Sequence, residues 1–271
     1  TGIATAMMDS SPIVCITGQV PTTALGGDAF QETDITGATL PLTKHSYLVM
    51  QVEDLAHSVR EAFYIARTGR PGPVLIDVPK DVQTASTEFV YPDDPINLPG
   101  YHPPERATDQ QVADALELIN GAEKPVILAG HGVLMSGAMA ELTQLVEKAT
   151  IPVATTLLGI GGMPASHPCN LGMMGMHGTA MANHAIQEAD LLIACGMRFD
   201  DRVTGNLKTY SPNSKKIHLE IDASEINKNI RVDVGIHADL GTVLLQIIPG
   251  VKKKKREEWV ETIGKWREEA D

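Results

Sequence analysis

At roughly 100–200 residues per domain, a chain of 271 residues has room for two domains with real hydrophobic cores. Its 22 basic and 34 acidic side chains give a formal charge of −12, which argues against nucleic acid or an anionic membrane as the main partner, because both select basic faces. Hydrophobic residues at 43% with 21% charged residues exclude a disordered chain, and neither a membrane-spanning apolar run nor a secretory leader is expected.

The chain opens on an apolar, helix-like stretch from Thr1 to Met8 without a cap, and it ends at Asp271 inside a charged helical pattern. Both ends read as cut, so the expectation is an internal piece of something longer. Ile13–Thr17, closed by Gly18, and Pro73–Val78, closed by Pro79, are short β-branched runs of the kind that form buried parallel strands. Between them Val52, Leu55, Ala56, Val59, Ala62, Phe63 and Ala66 recur at helical spacing, with Glu53 and Asp54 at the N-terminal end and Gly69 as a left-handed stop. Five prolines between positions 92 and 104 make Ser86–Arg106 a stiff linker. Thr108 and Gln111 then form a capping box for a helix with Val112, Leu116 and Ile119 inward and Gly121 at its end.

From Lys124 the pattern alternates. Strands are predicted at Val126–Ala129, Ile151–Leu157, Leu191–Ala194 and Ile217–Ile221. Helices are predicted with Met139, Leu142, Leu145, Val146 and Ala149 inward, around Thr179–Glu188, and over Leu240–Ile248. The charged tail from Lys252 to Asp271 reads as helical, anchored by Trp259 and Trp266, with Lys252–Arg256 as a solvated helix face. Alternating strands and helices predict an α/β fold of parallel-sheet layers with helices on both faces.

In open α/β sheets ligands sit beyond the carboxyl ends of the strands. Here those ends carry Gly130-His131-Gly132, Thr155-Thr156-Leu157, Gly196 to Asp200, and Glu220-Ile221-Asp222. They suit a nucleotide, with backbone approach at glycine and an acid for ribose, or equally a set of solvated turns capping helices. The third glycine of a G-x-G-x-x-G loop is replaced by Met135. Gly172-Met173-Met174-Gly175-Met176-His177-Gly178-Thr179 is either an adaptable surface for a flat ring or a core loop. Asp200-Asp201-Arg202 could hold a guanidinium fork for a carboxylate, or be surface charge. His177 and His184 lack a third ligand, so no metal site is expected. Cys15, Cys169 and Cys195 lie far apart, which predicts neither a disulfide framework nor a zinc ribbon, and a cytoplasmic setting.

Three segments narrow the reading: ITGQVPTTALGGDAFQETDITGATLPLTKHSYLV, RPGPVLIDVPKDVQ and LGMMGMHGTAMANHAIQEADLLIACGMRFDDRVTGN. Together they resemble the catalytic large subunit of acetohydroxyacid synthase (acetolactate synthase), a thiamine diphosphate enzyme family of branched-chain amino acid biosynthesis. That resemblance implies a partial N-terminal pyrimidine-binding domain at 1–83 and a linker at 84–106. A Rossmann-like central FAD-binding domain at 107–250 would follow, then a linker at 251–271 toward a diphosphate-binding domain. It implies thiamine diphosphate and Mg2+ in the intact enzyme, with the activating glutamate and the magnesium motif lying outside these residues and the fragment inactive alone. It also implies 2-keto acid substrates, a homodimer or homotetramer, and a small regulatory subunit. By the same resemblance Phe30, Gln31 and Lys80 face cofactor or substrate. Arg202 would bind the carboxylate of the incoming keto acid, and Asp201 would orient it. FAD would be held by Arg70, His131, Thr156, Leu157, Met174, Gly175, Met176, His177, Gly196, Met197, Arg198, Phe199, Asp200, Glu220, Ile221, Asp239 and Leu240. Glu220 stands where the pattern has aspartate, and His131 where many members have glycine. The alternatives are glyoxylate carboligase or pyruvate oxidase within the superfamily, or a non-catalytic nucleotide-binding module.

Overall fold

Six consecutive buried residues, Val74–Pro79, organise the first part of the chain. The computed structural model describes residues 1–270. The chain divides after Pro103 into two units. In the first unit α1 (Gly2–Met8), β1 (Val14–Gln19), α2 (Ile35–Thr39), β2 (His45–Leu48), α3 (Leu55–Arg67), β3 (Val74–Pro79) and α4 (Lys80–Thr84) follow one another. The strands form a parallel sheet in the order β1-β3-β2. The β1 strand continues past Gly18, where the sequence predicts its end. Thr17 donates to Asp77 of β3 at 2.8 Å and Gln19 to the same carboxylate at 3.0 Å, which carries the pairing on to Gln19 and Pro79.

The predicted helix after β2 begins as a 3-10 turn at Val52–Asp54 and becomes α-helical at Leu55. Ser58, Ala62, Ile65 and Ala66 form its buried face. Phe63, placed in the apolar stripe by spacing, is 54% exposed because it lies one residue, about 100° of turn, from Ala62. Gly69 has a φ of +56°, the left-handed geometry that stops a helix. The last carbonyls of α3 are met by Lys44, whose Nζ donates to Ile65 and to Thr68 (2.6 Å) and bonds the Tyr101 hydroxyl at 3.0 Å. A cation belongs at this negative helix end, but burial lowers its pKa to about 8.

Among the described residues, 85–108 carry no helix or strand. The second unit then runs α5 (Asp109–Gly121), β4 (Pro125–Ala129), α6 (His131–Met135), α7 (Met139–Ala149), β5 (Val153–Thr155), β6 (Asn170–Met173), α8 (Ala180–Glu188), β7 (Leu191–Cys195), α9 (Asp201–Thr204), β8 (Lys215–Glu220), β9 (Val234–His237), α10 (Leu240–Ile247) and α11 (Glu257–Ala270). Asp271, where the predicted tail helix ended, lies outside the described residues. The capping box is present, Gln111 N–H donating to Thr108 Oγ1 at 3.2 Å and Thr108 N–H to Gln111 Oε1 at 3.0 Å. The helix ends at Gly121, as the sequence predicts, and Ala122 turns extended behind it.

The six strands are parallel in the order β6-β5-β4-β7-β8-β9, so the winding direction reverses between β4 and β7. Alternate residues feed two cores. Ile127, Ala129, Ile193, Cys195, Ile217 and Leu219 pack with α5, α7 and α10 on one face. Val126, Leu128, Ala154, Leu192 and Ala194 pack with α8 and α11 on the other. Burial on both faces is why β4 and β7 read as unbroken apolar runs. The β5 strand is shorter than predicted: past Thr155 the chain enters a 3-10 turn over Leu157–Gly159, capped by the Thr156 hydroxyl, which accepts from Gly159 N–H at 3.1 Å. The glycine-rich turn expected after β4 is a short helix, α6, entered directly from Gly130.

The basic run 252–256 is not a solvated helix face, since α11 starts only at Glu257 and Arg256 is 4% exposed. The Arg256 guanidinium donates to Ile119 (3.0 Å), Ala122 (3.2 Å) and Ala149, binding the C-terminal carbonyls of α5 and α7 together. Five fixed donors and a permanent charge suit arginine to two converging negative helix ends. Trp259 adds an Nε1–H donated to Pro125 at 3.1 Å.

Arg256→Met is expected to lower stability by about 2–4 kcal/mol, the cost of stripping a charged donor from buried carbonyls. An unchanged calorimetric midpoint would overturn this role. For Lys44 the charged form is the penalised one, so its contribution to stability rises as pH climbs from about 8 toward the unfolded value near 10.4. Urea unfolding across that range should show a shallower rise in Lys44→Met than in the parent chain; parallel slopes would refute the assignment.

Candidate functional site

The carboxyl ends of β4 and β7 meet through backbone contact. Gly130 N–H donates to Cys195 at 2.9 Å, Gly132 N–H to Gly196 at 2.9 Å, and Gly196 N–H to Leu219 at 2.9 Å. A Cβ at Gly132 would stand 2.6 Å from Gly196 Cα, and one at Gly130 would stand 2.3 Å from Gly196 O. Gly196 itself has a φ of +57°. Three glycines are therefore required by space and by dihedral angle where the sheet reverses its winding, the usual place for a ligand crevice in an open α/β sheet.

The strand ends bring together most of the residues singled out from sequence. Thr156 and Leu157 follow β5; Met174, Gly175, Met176 and His177 follow β6; Gly196, Met197, Arg198, Phe199 and Asp200 follow β7. Glu220 ends β8 and Ile221 follows it, Asp239 and Leu240 open α10 just past β9, and His131 opens α6. Burial then divides this set. Met174, Met197, Phe199, Glu220 and Leu240 are buried and support the rim from behind, whereas Leu157, Met176, His177, Asp201 and Arg202 are exposed. Glu220 folds back, its Oε1 accepting from Ile221 N–H at 2.9 Å and Asp222 N–H at 3.2 Å. Asp239 accepts from Thr242 N–H at 2.9 Å, and Arg198 lies 3.8 Å from Asp200.

Two supports escape a sequence reading. His218 on β8 is fully buried, with Nε2 2.8 Å from Met197 O and its ring 5.1 Å from that of Phe199. A carbonyl only accepts, so Nε2 carries the proton; burial lowers the imidazole pKa and keeps the ring neutral. Asn183 on α8 accepts from Gly175 N–H at 2.9 Å and donates to Gly175 O at 3.0 Å. The Met-rich loop lies on the Asp201-Arg202 turn, Met176 N–H donating to Arg202 O at 2.9 Å. Asp200 caps that turn by accepting from Arg202 N–H at 3.1 Å and Val203 N–H at 3.2 Å. The Arg202 side chain is 70% exposed, with Nε 3.9 Å from Asp201 and Nη1 3.4 Å from Met176 Sδ. Among the described residues, no group of three or more His, Cys, Asp or Glu side chains is placed to hold a metal ion.

Phe30, Gln31, Arg70 and Lys80 belong to the first unit. Phe30 is 90% exposed at the tip of a loop pinned by Glu32, which accepts from Gly26 and Ala29 N–H groups. Those bonds hold the Glu32 carboxyl below its ordinary pKa. Gln31 adopts a left-handed φ of +63°. Lys80 opens α4 directly after β3 and is exposed. Arg70 donates to Ser10 Oγ at 3.0 Å.

Residues 112–247, from α5 to the end of α10, match the family described as "Thiamine pyrophosphate enzyme, central domain". The chain is 49% identical, over 97% of its length, to a probable acetolactate synthase large subunit of Methanocaldococcus jannaschii, of which it covers 45%. It is 48% identical over 98% of its length to the acetolactate synthase large subunit of Corynebacterium glutamicum, covering 42% of that protein. It is 45% identical over 97% of its length to the acetolactate synthase isozyme 1 large subunit of Escherichia coli, covering 46%. The chain thus spans less than half the length of these curated relatives.

The glycine contact makes opposite forecasts for two alanines. Gly132→Ala forces a Cβ against the Gly196 backbone and should cost about 1–3 kcal/mol. Gly121→Ala meets nothing within 4 Å at a helix end and should gain up to about 1 kcal/mol. Chemical denaturation of both variants is the check; equal midpoints would mean that the strand ends part freely.

Proposed function

The chain belongs to the thiamine pyrophosphate enzyme family, and from that premise we propose that the whole protein is an acetolactate synthase large subunit. It would decarboxylate pyruvate and join the remaining two carbons to a second 2-keto acid. Thiamine diphosphate, held with Mg2+ in the whole protein, supplies the electron sink that makes both steps accessible. The observation that carries this reading is similarity to acetolactate synthase large subunits over nearly all of the chain, both units included. Assembly into two or four copies, a small regulatory subunit and a cytoplasmic setting belong to the same proposal.

The strand-end region of the second unit is proposed to take FAD. The support is the strand-end geometry: the winding of the six-stranded sheet reverses between β4 and β7, where Gly130, Gly132 and Gly196 close the two backbones together. His131, Thr156, Leu157, Met176, His177, Arg198 and Ile221 would meet the flavin nucleotide from the rim. Met174, Gly175, Met197, Phe199 and Leu240 would shape it from behind, with Asp200, Glu220 and Asp239 fixing the turns. Arg70 of the first unit is proposed as a further FAD residue of the whole protein, and Phe30, Gln31 and Lys80 as residues facing thiamine diphosphate or substrate.

Arg202 is proposed to receive the carboxylate common to all 2-keto acids, beside Asp201. An exposed guanidinium next to a carboxylate, on a turn fixed by Asp200, supports that role. The function is tested by supplying the whole protein with pyruvate, thiamine diphosphate, Mg2+ and FAD and measuring acetolactate and bound flavin. Failure to form acetolactate would overturn the reading.

Arg202→Lys keeps the charge and loses the planar fork, so use of every acceptor should fall by about 1–3 kcal/mol of transition-state stabilisation while flavin content holds. Acetolactate and acetohydroxybutyrate formation, measured beside bound FAD, decide it. Loss of FAD with normal turnover per holoenzyme would move Arg202 to the flavin site.

A further inference from the structure

We propose that Asn183 is a positioning residue that sets the register of the Arg202 turn through the Met-rich loop. The inference rests on the reading that Arg202 receives the keto-acid carboxylate. Asn183 lies on α8, and its side chain has no contact with Arg202 among the hydrogen bonds of the described residues. It acts through one peptide unit on each side of Gly175. Its Oδ1 accepts from Gly175 N–H at 2.9 Å, and its Nδ2 donates to Gly175 O at 3.0 Å. Only a side chain with a donor and an acceptor in one plane can make both bonds, which also fixes the amide orientation.

The clamp is transmitted by backbone. Gly175 has a φ of +91°, and a Cβ there would stand 2.4 Å from Arg202 O and 3.1 Å from Val203 Cα. Met176 N–H then donates to that same Arg202 carbonyl at 2.9 Å, and Met176 Sδ lies 3.4 Å from Arg202 Nη1. The loop closes behind the clamp, Gly178 N–H donating to Gly175 O at 2.9 Å and Thr179 N–H to Met173 O at 2.8 Å. The Met-rich loop therefore sits against the Arg202 turn with no side chain between them. A shift at Gly175 must move the Arg202 backbone or break its bond to Met176. Because α8 packs its Met181, Ala182, Ala185 and Ile186 into the core, Asn183 holds the loop from a rigid element.

The test uses two readouts. In the 271-residue chain, Asn183→Ala should speed amide exchange at Gly175 and Met176 about tenfold, as expected for losing the bonds that hold the loop, while Ile186 on the same helix keeps its rate. In the whole protein, Asn183→Ala should lower kcat/KM for 2-keto acids about tenfold in the parent and less than about twofold in an Arg202→Lys background, because one role would already be lost. Should Asn183→Ala not fold, Asn183→Asp keeps the shape, turns the donor into an acceptor facing Gly175 O, and carries the same expectations. Unchanged exchange at Gly175 and Met176 overturns the clamp. Independent, multiplicative losses of kcat/KM overturn its action through Arg202. If the parent whole protein forms no acetolactate, the functional reading fails, and the exchange result still decides the clamp.

Discussion

The contact of Gly130 and Gly132 with Gly196 is the constraint on which the second unit depends. Two parallel strands end at this point, and the chain leaves them in opposite directions, β4 into α6 and β7 into the Arg198–Asp200 segment. The backbones close to within hydrogen-bond distance, Gly132 N–H to Gly196 O at 2.9 Å. Any side chain on that line would wedge the strands apart at the point where the sheet reverses. Since β4 and β7 are the two central strands, separation there would loosen both cores together. The N–H groups of all three glycines are spent in this contact, on the carbonyls of Cys195, Gly196 and Leu219.

Much of this architecture was legible in the sequence, and the part that was not has a common cause. β4 and β7 are covered on both faces, so each is a run of apolar residues that announces itself, whereas β8 shows only the alternating Ile217 and Leu219. The strands missed, β2, β6 and β9, are each four residues long and stand at the edges of their sheets. Edge strands need less apolar surface, and Gly172 and Gly235 weaken the signal further. Phe63 shows the opposite error: an apolar residue at nearly the right helical angle, yet facing outward.

The candidate site divides along the same line. The glycines after β4 were visible because two glycines around one residue after an apolar run is a local pattern. His218 and Asn183 were not, because the meaning of each lies in what stands across from it: a carbonyl just past the neighbouring strand, a peptide on the neighbouring loop. Arg256 failed for that reason too. In sequence it closes a lysine run, and only the convergence of α5 and α7 gives its guanidinium three carbonyls to serve.

The acidity of the chain poses a physical problem for a proposed dinucleotide, and the strand ends answer it. The chain has a formal charge of −12, and Asp200, Glu220, Asp222 and Asp239 follow or end β7, β8 and β9. A free carboxylate 4 Å from a phosphate would oppose it by about 4 kcal/mol at an effective dielectric of 20. The strand-end acids are instead turned onto backbone N–H groups. Asp200 binds those of Arg202 and Val203, Glu220 those of Ile221 and Asp222, Asp222 that of Ser224, and Asp239 that of Thr242. Each bond places the positive end of a peptide dipole against the charge and draws the carboxylate into its own turn. The acids then serve to fix the loops, and the reversal between β4 and β7 is lined by glycine backbone. An anion near these strand ends would then face carboxylates already partly compensated by peptide N–H groups. A net negative chain can in this way be locally permissive, because charge is counted over the whole surface and recognition acts over a few ångströms.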